Sequence, residues 1–96
     1  MQLTDTAADL DGPWQLDPQV ALRPEAFGAL AYHFGTRRLS FLKSRTLLEI
    51  VTSLRDHPSA REACRAAGVG DHEQAQYDSA LRTLAGTGMI VLRGRP

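Results

Sequence analysis

Residues 20–44 read VALRPEAFGALAYHFGTRRLSFLKS, and the period of this stretch decides the fold. Gln19-Val20-Ala21-Leu22-Arg23 has the make-up of a short strand, and Pro24 is expected to stop it because proline cannot donate to a ladder. Phe27 to Phe34 is apolar and aromatic and is long enough for one strand. Gly35-Thr36 follows, and Arg38-Leu39-Ser40-Phe41-Leu42 resumes an extended pattern. A glycine-containing connection between two such runs predicts a β-hairpin.

Beyond Lys43 the apolar period lengthens from 2 to 3.6 residues. Ser44 suits a helix N-cap, and Leu47, Ile50, Val51 and Leu54 make one apolar stripe that ends before Pro58. Ser59 with Glu62 has capping-box spacing and opens a second, short helix whose inner face is small: Ala60, Ala63, Cys64 and Ala67. Gly68 stands where a C′ glycine belongs. Asp71 with Gln74 repeats the spacing and opens a third helix, with Tyr77, Ala80 or Leu81, and Leu84 as its stripe. Gly86 and Gly88 close it, and Met89 to Leu92 is a last apolar segment with the make-up of a short strand. Three helices, the last two joined by Gly68-Val69-Gly70, predict a helix-turn-helix with a β-hairpin attached, an α+β domain.

On the other side of the hairpin, residues 1–12 are polar and closed by Gly12-Pro13, so a disordered acidic tail is expected there and an ordered domain over 13–96. The first seventeen residues hold Asp5, Asp9, Asp11 and Asp17 and no Lys or Arg, leaving the rest of the chain at net +4 although the whole sums to zero. A neutral chain has no bulk field for nucleic acid or anionic membrane. No apolar run nears the roughly 20 residues that span a bilayer, and the start lacks a signal-peptide core. Cys64 is the single cysteine, so no intramolecular disulfide can form, and a cytoplasmic location is the expectation. Ninety-six residues make one domain, which buries roughly 60–65% of its unfolded surface and has little left for a deep substrate cavity.

The 20–44 run, with Trp14-Gln15-Leu16 before it and Gly88-Met89-Ile90 near the end, resembles the PqqD-like family of recognition elements for ribosomal precursor peptides. Within that family the resemblance is closest to the chaperones of the mycofactocin system. It spans roughly Trp14 to Arg93, with Leu22 to Ser44 its most specific part. The resemblance implies a winged helix-turn-helix, with a three-stranded antiparallel sheet packed on three helices. It further implies that a precursor's leader adds as a strand to the third strand, here Arg38-Leu39-Ser40-Phe41-Leu42, beside a groove walled by the 71–85 helix. The peptide would then be passed to a radical SAM maturase. This chain has no three-cysteine cluster motif, so the chemistry would lie with that partner, and neither a cofactor nor a catalytic residue is expected here.

A bare strand edge has a blander account, since Arg37, Arg38 and Lys43 are the kind of charges that protect edges from aggregation. Strand-mediated or domain-swapped homodimers are also open to such an edge. About four backbone bonds at ~0.5–1.5 kcal/mol each supply ~2–6 kcal/mol, whereas micromolar binding needs about 8 kcal/mol, so apolar anchors are required. Leu39, Phe41, Tyr77, Leu81 and Leu84 are the candidates. At helical spacing Leu81 and Leu84 suit a core equally well, and Tyr77 is favoured for the groove because its hydroxyl wants a polar end. Arg37, Arg38, Lys43 and Arg45 form either a solvated face or a steering field for an acidic leader.

His33, His57, His72 and Cys64 show no metal-ligand spacing, so no metal site is expected. The rival function for this fold class is DNA binding. Its recognition helix would need Arg, Lys, Asn or Gln, whereas the 71–85 helix carries Asp71, Glu73 and Asp78 against Arg82. A small enzyme is disfavoured because the sequence offers neither paired carboxylates, nor a triad, nor a cofactor loop.

Overall fold

The computed structural model describes residues 9–93, an α+β arrangement of a three-stranded antiparallel sheet, three α-helices and a separate two-stranded ribbon. The strands are β1 (Trp14–Leu16), β2 (Val20–Glu25), β3 (Gly28–His33), β4 (Leu39–Leu42) and β5 (Ile90–Leu92). The helices are α1 (Arg45–Ser53), α2 (Ala60–Ala66) and α3 (Gln74–Gly86). The sheet runs β2-β3-β4, a meander with β3 in the middle.

Alternation along β3 explains how the sheet meets the helices. Ala29, Ala31 and His33 are buried on one face, while Leu30 and Tyr32 lie on the other. Alanines on the inner face let α1 approach β3 closely, and the stripe Leu47, Ile50, Val51 and Leu54 fills the space between, buried as its period predicts. Each fully buried Leu or Ile in that layer is worth roughly 1.5–3 kcal/mol. Ser44 Oγ accepts from the Leu47 N–H at 3.0 Å and so caps α1. Ser59 Oγ likewise accepts from Glu62 N–H at 3.0 Å, but the Glu62 carboxylate turns to Arg65 at 2.7 Å, so only half of the expected box forms. The third helix differs at its start too. A 3₁₀ turn over Asp71–Glu73 comes first, Glu73 Oε1 accepts from the Gly70 N–H at 3.3 Å, and α3 opens at Gln74.

Pro24 does not stop β2, which continues to Glu25. Phe34 N–H donates to the Gln19 carbonyl at 2.9 Å, which makes 19–34 a hydrogen-bonded pair and, two residues at a time, 21–32, 23–30 and 25–28 as well. Pro24 therefore falls in a non-bonded pair with Ala29, and its missing N–H faces away from the sheet. Gly28, where β3 begins, has φ +151°, and a Cβ there would collide with the Leu42 carbonyl, so only glycine fits beside the end of β4.

The expected tail boundary at Gly12-Pro13 is also corrected. Residues 1–8 lie outside the described residues, but residues 9–12 are packed. Leu10 is 2% exposed and belongs to the core, the Asp9 carbonyl accepts from Trp14 Nε1–H at 2.7 Å, and Arg61 donates to Asp11 at 2.7 Å. An isolated Leu among polar residues has no period, so sequence could not mark it. β1 pairs with β5, joining Trp14 to Leu92 and Leu16 to Ile90. Arg93 locks this ribbon by donating to the carbonyls of Trp14, Leu54 and His57 at 3.1, 2.8 and 2.9 Å.

Candidate functional site

β2 and β4 are the two edges of the sheet, and they are not equivalent. Among the described residues no strand lies beyond either. β2 carries Pro24 at an outward position, so its edge lacks a donor there. β4 has no proline. His33 N–H donates to the Arg38 carbonyl at 2.9 Å, so 33–38 is a hydrogen-bonded pair, as are 31–40 and 29–42 by alternation. Ser40 and Leu42 thus spend their backbone groups on β3. The N–H and C=O groups of Leu39 and Phe41 point away from the sheet.

The hairpin turn fixes this parity. Buried His33 accepts the N–H groups of Gly35 and Thr36 on Nδ1 at 3.0 and 3.1 Å, with its Nε2 3.6 Å from Asp17 Oδ2. Arg37 adopts φ +63° to complete the turn. A different turn would slip the register by one residue and exchange inward for outward groups.

Along the free edge of β4 runs a groove of about 340 Å³, lined by Ser40, Phe41, Lys43, Leu47, Ala80, Thr83 and Leu84. α1 supplies its floor through Leu47, and α3 supplies its far wall. The helix can serve core and groove together because its stripe and its flank differ: Tyr77, Leu81 and Leu84 are buried, while Ala80 and Thr83 lie to one side. Ala80 keeps the wall low.

The proposed residues are therefore only partly brought together. Leu39, Ser40, Phe41 and Leu84 stand at the edge or in the groove, and Arg38 is exposed just before β4. Leu42 is 1% exposed beneath the sheet and cannot touch a ligand there. Tyr77 and Leu81, at 9% and 0%, belong to the core and do not line the groove, which corrects the preference for Tyr77. Its spacing of four and seven residues to Leu81 and Leu84 outweighs the demand of its hydroxyl. Leu47, Ala80 and Thr83 were not foreseen. Ala80 was visible only as the alternative to Leu81 in the helix stripe.

Charge frames the edge. Arg37, Arg38, Lys43 and Arg45 are all exposed, and none has an acidic partner within ion-pair distance among the described residues. Two lie at each end of β4.

Other candidate chemistry is not assembled. Among the described residues no three His, Cys, Asp or Glu side chains are grouped to hold a metal ion. Cys64 is fully buried on α2, and that burial pushes its thiol pKa up, away from nucleophilic use. No helix among the described residues is long and apolar enough to cross a membrane.

A family model described as the peptide chaperone MftB family matches residues 13–91. A peptide chaperone MftB of Mycobacterium ulcerans is 64% identical over 85 residues, covering 88% of this chain and 78% of the relative. The proteins of that name from Mycobacterium tuberculosis and Mycolicibacterium smegmatis are each 60% identical, covering 88% and 86% of this chain and 78% and 81% of theirs. No solved structure matches the chain significantly.

Proposed function

This chain belongs to the peptide chaperone MftB family, one of chaperones and not of catalysts, and on that premise we propose that it binds a ribosomal precursor peptide by β-strand addition to β4. The leader segment lies in the groove between β4 and α3, and the chain hands the peptide to a radical SAM maturase in mycofactocin biosynthesis, in the cytoplasm. The sheet with the α2–turn–α3 unit is read as a winged helix-turn-helix put to peptide binding.

The unpaired edge carries this reading. Leu39 and Phe41 offer two N–H donors and two C=O acceptors to an incoming strand, and an apolar groove lies directly beside them. Backbone pairing sets the register, and the groove supplies the anchors that the ladder alone lacks. The chain has a single cysteine and no three-cysteine cluster motif, which supports a role in delivery. The four cations at the ends of β4, none of them ion-paired among the described residues, favour an acidic leader and act mainly on the association rate.

Calorimetric titration of the full chain tests the partner class. The natural precursor and its isolated leader should bind with similar affinity, while a precursor lacking the leader and a random duplex DNA should give no heat at micromolar protein. Equal binding of the leaderless peptide, or salt-dependent DNA binding, would overturn the assignment.

A further inference from the structure

The sheet has a second apolar surface, on the face away from the helices. Phe27, Phe34, Leu39 and Phe41 are 48, 62, 55 and 58% exposed. Phe27 meets Phe41 edge-on with ring centroids 6.2 Å apart, and these two with Glu25, Leu30 and Lys43 wall a cavity of about 590 Å³. Antiparallel sheets ordinarily show one apolar and one solvated face. Here the free edge of β4 has apolar surface on both sides.

The parity of β4 decides what that means for a segment added there. Its side chains must alternate between the two sides. Those opposite Ser40 and Leu42 enter the groove over Leu47, Ala80 and Leu84. Those opposite Leu39 and Phe41 emerge on the outer face, within cross-strand contact of these two side chains. Phe41 and Lys43 border the groove and the outer cavity alike, so the two surfaces are continuous across the edge.

We infer that the segment bound at β4 is apolar at both parities, with a large aliphatic or aromatic side chain beside Phe41 in the Phe27–Leu30–Phe41 cavity, and that Phe27 and Phe41 are specificity-determining residues. This rests on the strand-addition reading. A leader with alternating apolar and polar residues would satisfy only half of the site. The requirement for a continuous apolar run also separates a true leader from ordinary amphipathic strand segments, which present one apolar side.

The test is a serine scan of the natural precursor's leader against the full chain, with fluorescence anisotropy as the readout and thermal melting as the check on folding. Serine at adjacent leader positions, one of each parity, should each weaken binding about tenfold. Phe27→Ser, at a turn residue outside the ladder, should weaken the natural peptide severalfold yet leave unchanged the affinity of the peptide already carrying serine at the outward position. Loss at one parity only, with Phe27→Ser silent, overturns the inference and leaves strand addition intact. Indifference at both parities overturns strand addition as well. A concentration-dependent dimer that Phe27→Ser dissolves without altering peptide affinity would assign the outer face to a second copy of the chain and overturn the inference.

Discussion

Substituting proline along β4 should separate folding from binding with a period of two. At Phe41 the N–H faces outward, so proline removes a donor that the sheet does not use. The preceding residue, Ser40, is already extended, as a pre-proline residue prefers. Pro24 on the opposite edge shows that this sheet accepts proline at an outward position. The variant should lose one hydrogen bond to the peptide, ~0.5–1.5 kcal/mol, or about twofold to twelvefold in affinity relative to Phe41→Ala, which removes the ring alone. At Ser40 the N–H faces Ala31, which is 1% exposed. Proline there breaks a ladder bond and leaves the Ala31 carbonyl without its partner. Together with the cost of proline inside a pairing strand, the loss is ~3 kcal/mol or more. For a domain of this size that is a fall in Tm of more than about 10 °C. Circular-dichroism melting and anisotropy with a labelled leader, run on Leu39→Pro, Ser40→Pro and Phe41→Pro, read both quantities. A stable Phe41→Pro that binds as tightly as Phe41→Ala, or a Ser40→Pro that melts like the parent, would refute the assigned parity.

Further outcomes follow from burial. Thr83→Arg, on the exposed flank of α3, should keep the Tm within a few degrees and weaken leader binding at least tenfold by filling the groove, whereas Leu81→Ala should cost about 2–5 kcal/mol of stability in chemical unfolding. Deleting residues 1–12 should lower the Tm by about 10 °C or more, because Leu10 leaves the core and Trp14 Nε1–H loses its acceptor; an unchanged Tm would contradict the packing of residues 9–12. Cys64, buried and with its thiol pKa raised by desolvation, should resist iodoacetamide at neutral pH and react at the rate of unfolding in denaturant; rapid alkylation of the native chain would contradict its placement.

What the sequence made legible was local. The α1 stripe and its Ser44 cap, the β3–β4 hairpin and the small-residue face of α2 all follow from period, capping and turn chemistry within a few residues. What it hid was non-local or depended on parity. β1 and β5 are three residues each and find each other across the whole domain, so neither carries a strong period of its own. Pro24 marks an end in a central strand and an outward position in an edge strand, and only the sheet order tells which. Which of Leu39 and Ser40 faces outward depends on the His33-centred turn, whose backbone geometry sequence does not specify. Tyr77 was assigned by the needs of its hydroxyl, when the geometry of a helix that buries Leu81 and Leu84 had already placed it inward. The groove itself is made partly by a small residue, Ala80, which leaves space and therefore no apolar signal.

Amide hydrogen exchange at β4 tests strand addition most directly. In the free chain the N–H groups of Ser40 and Leu42 should exchange slowly and those of Leu39 and Phe41 fast, because only the first pair is bonded to β3. Saturation with the precursor leader should slow Leu39 and Phe41 by at least tenfold and leave Ser40 and Leu42 little changed, as the peptide backbone takes up the outward groups. Saturated binding with Leu39 and Phe41 still exchanging at their free rates would contradict the account and place the peptide elsewhere on the chain.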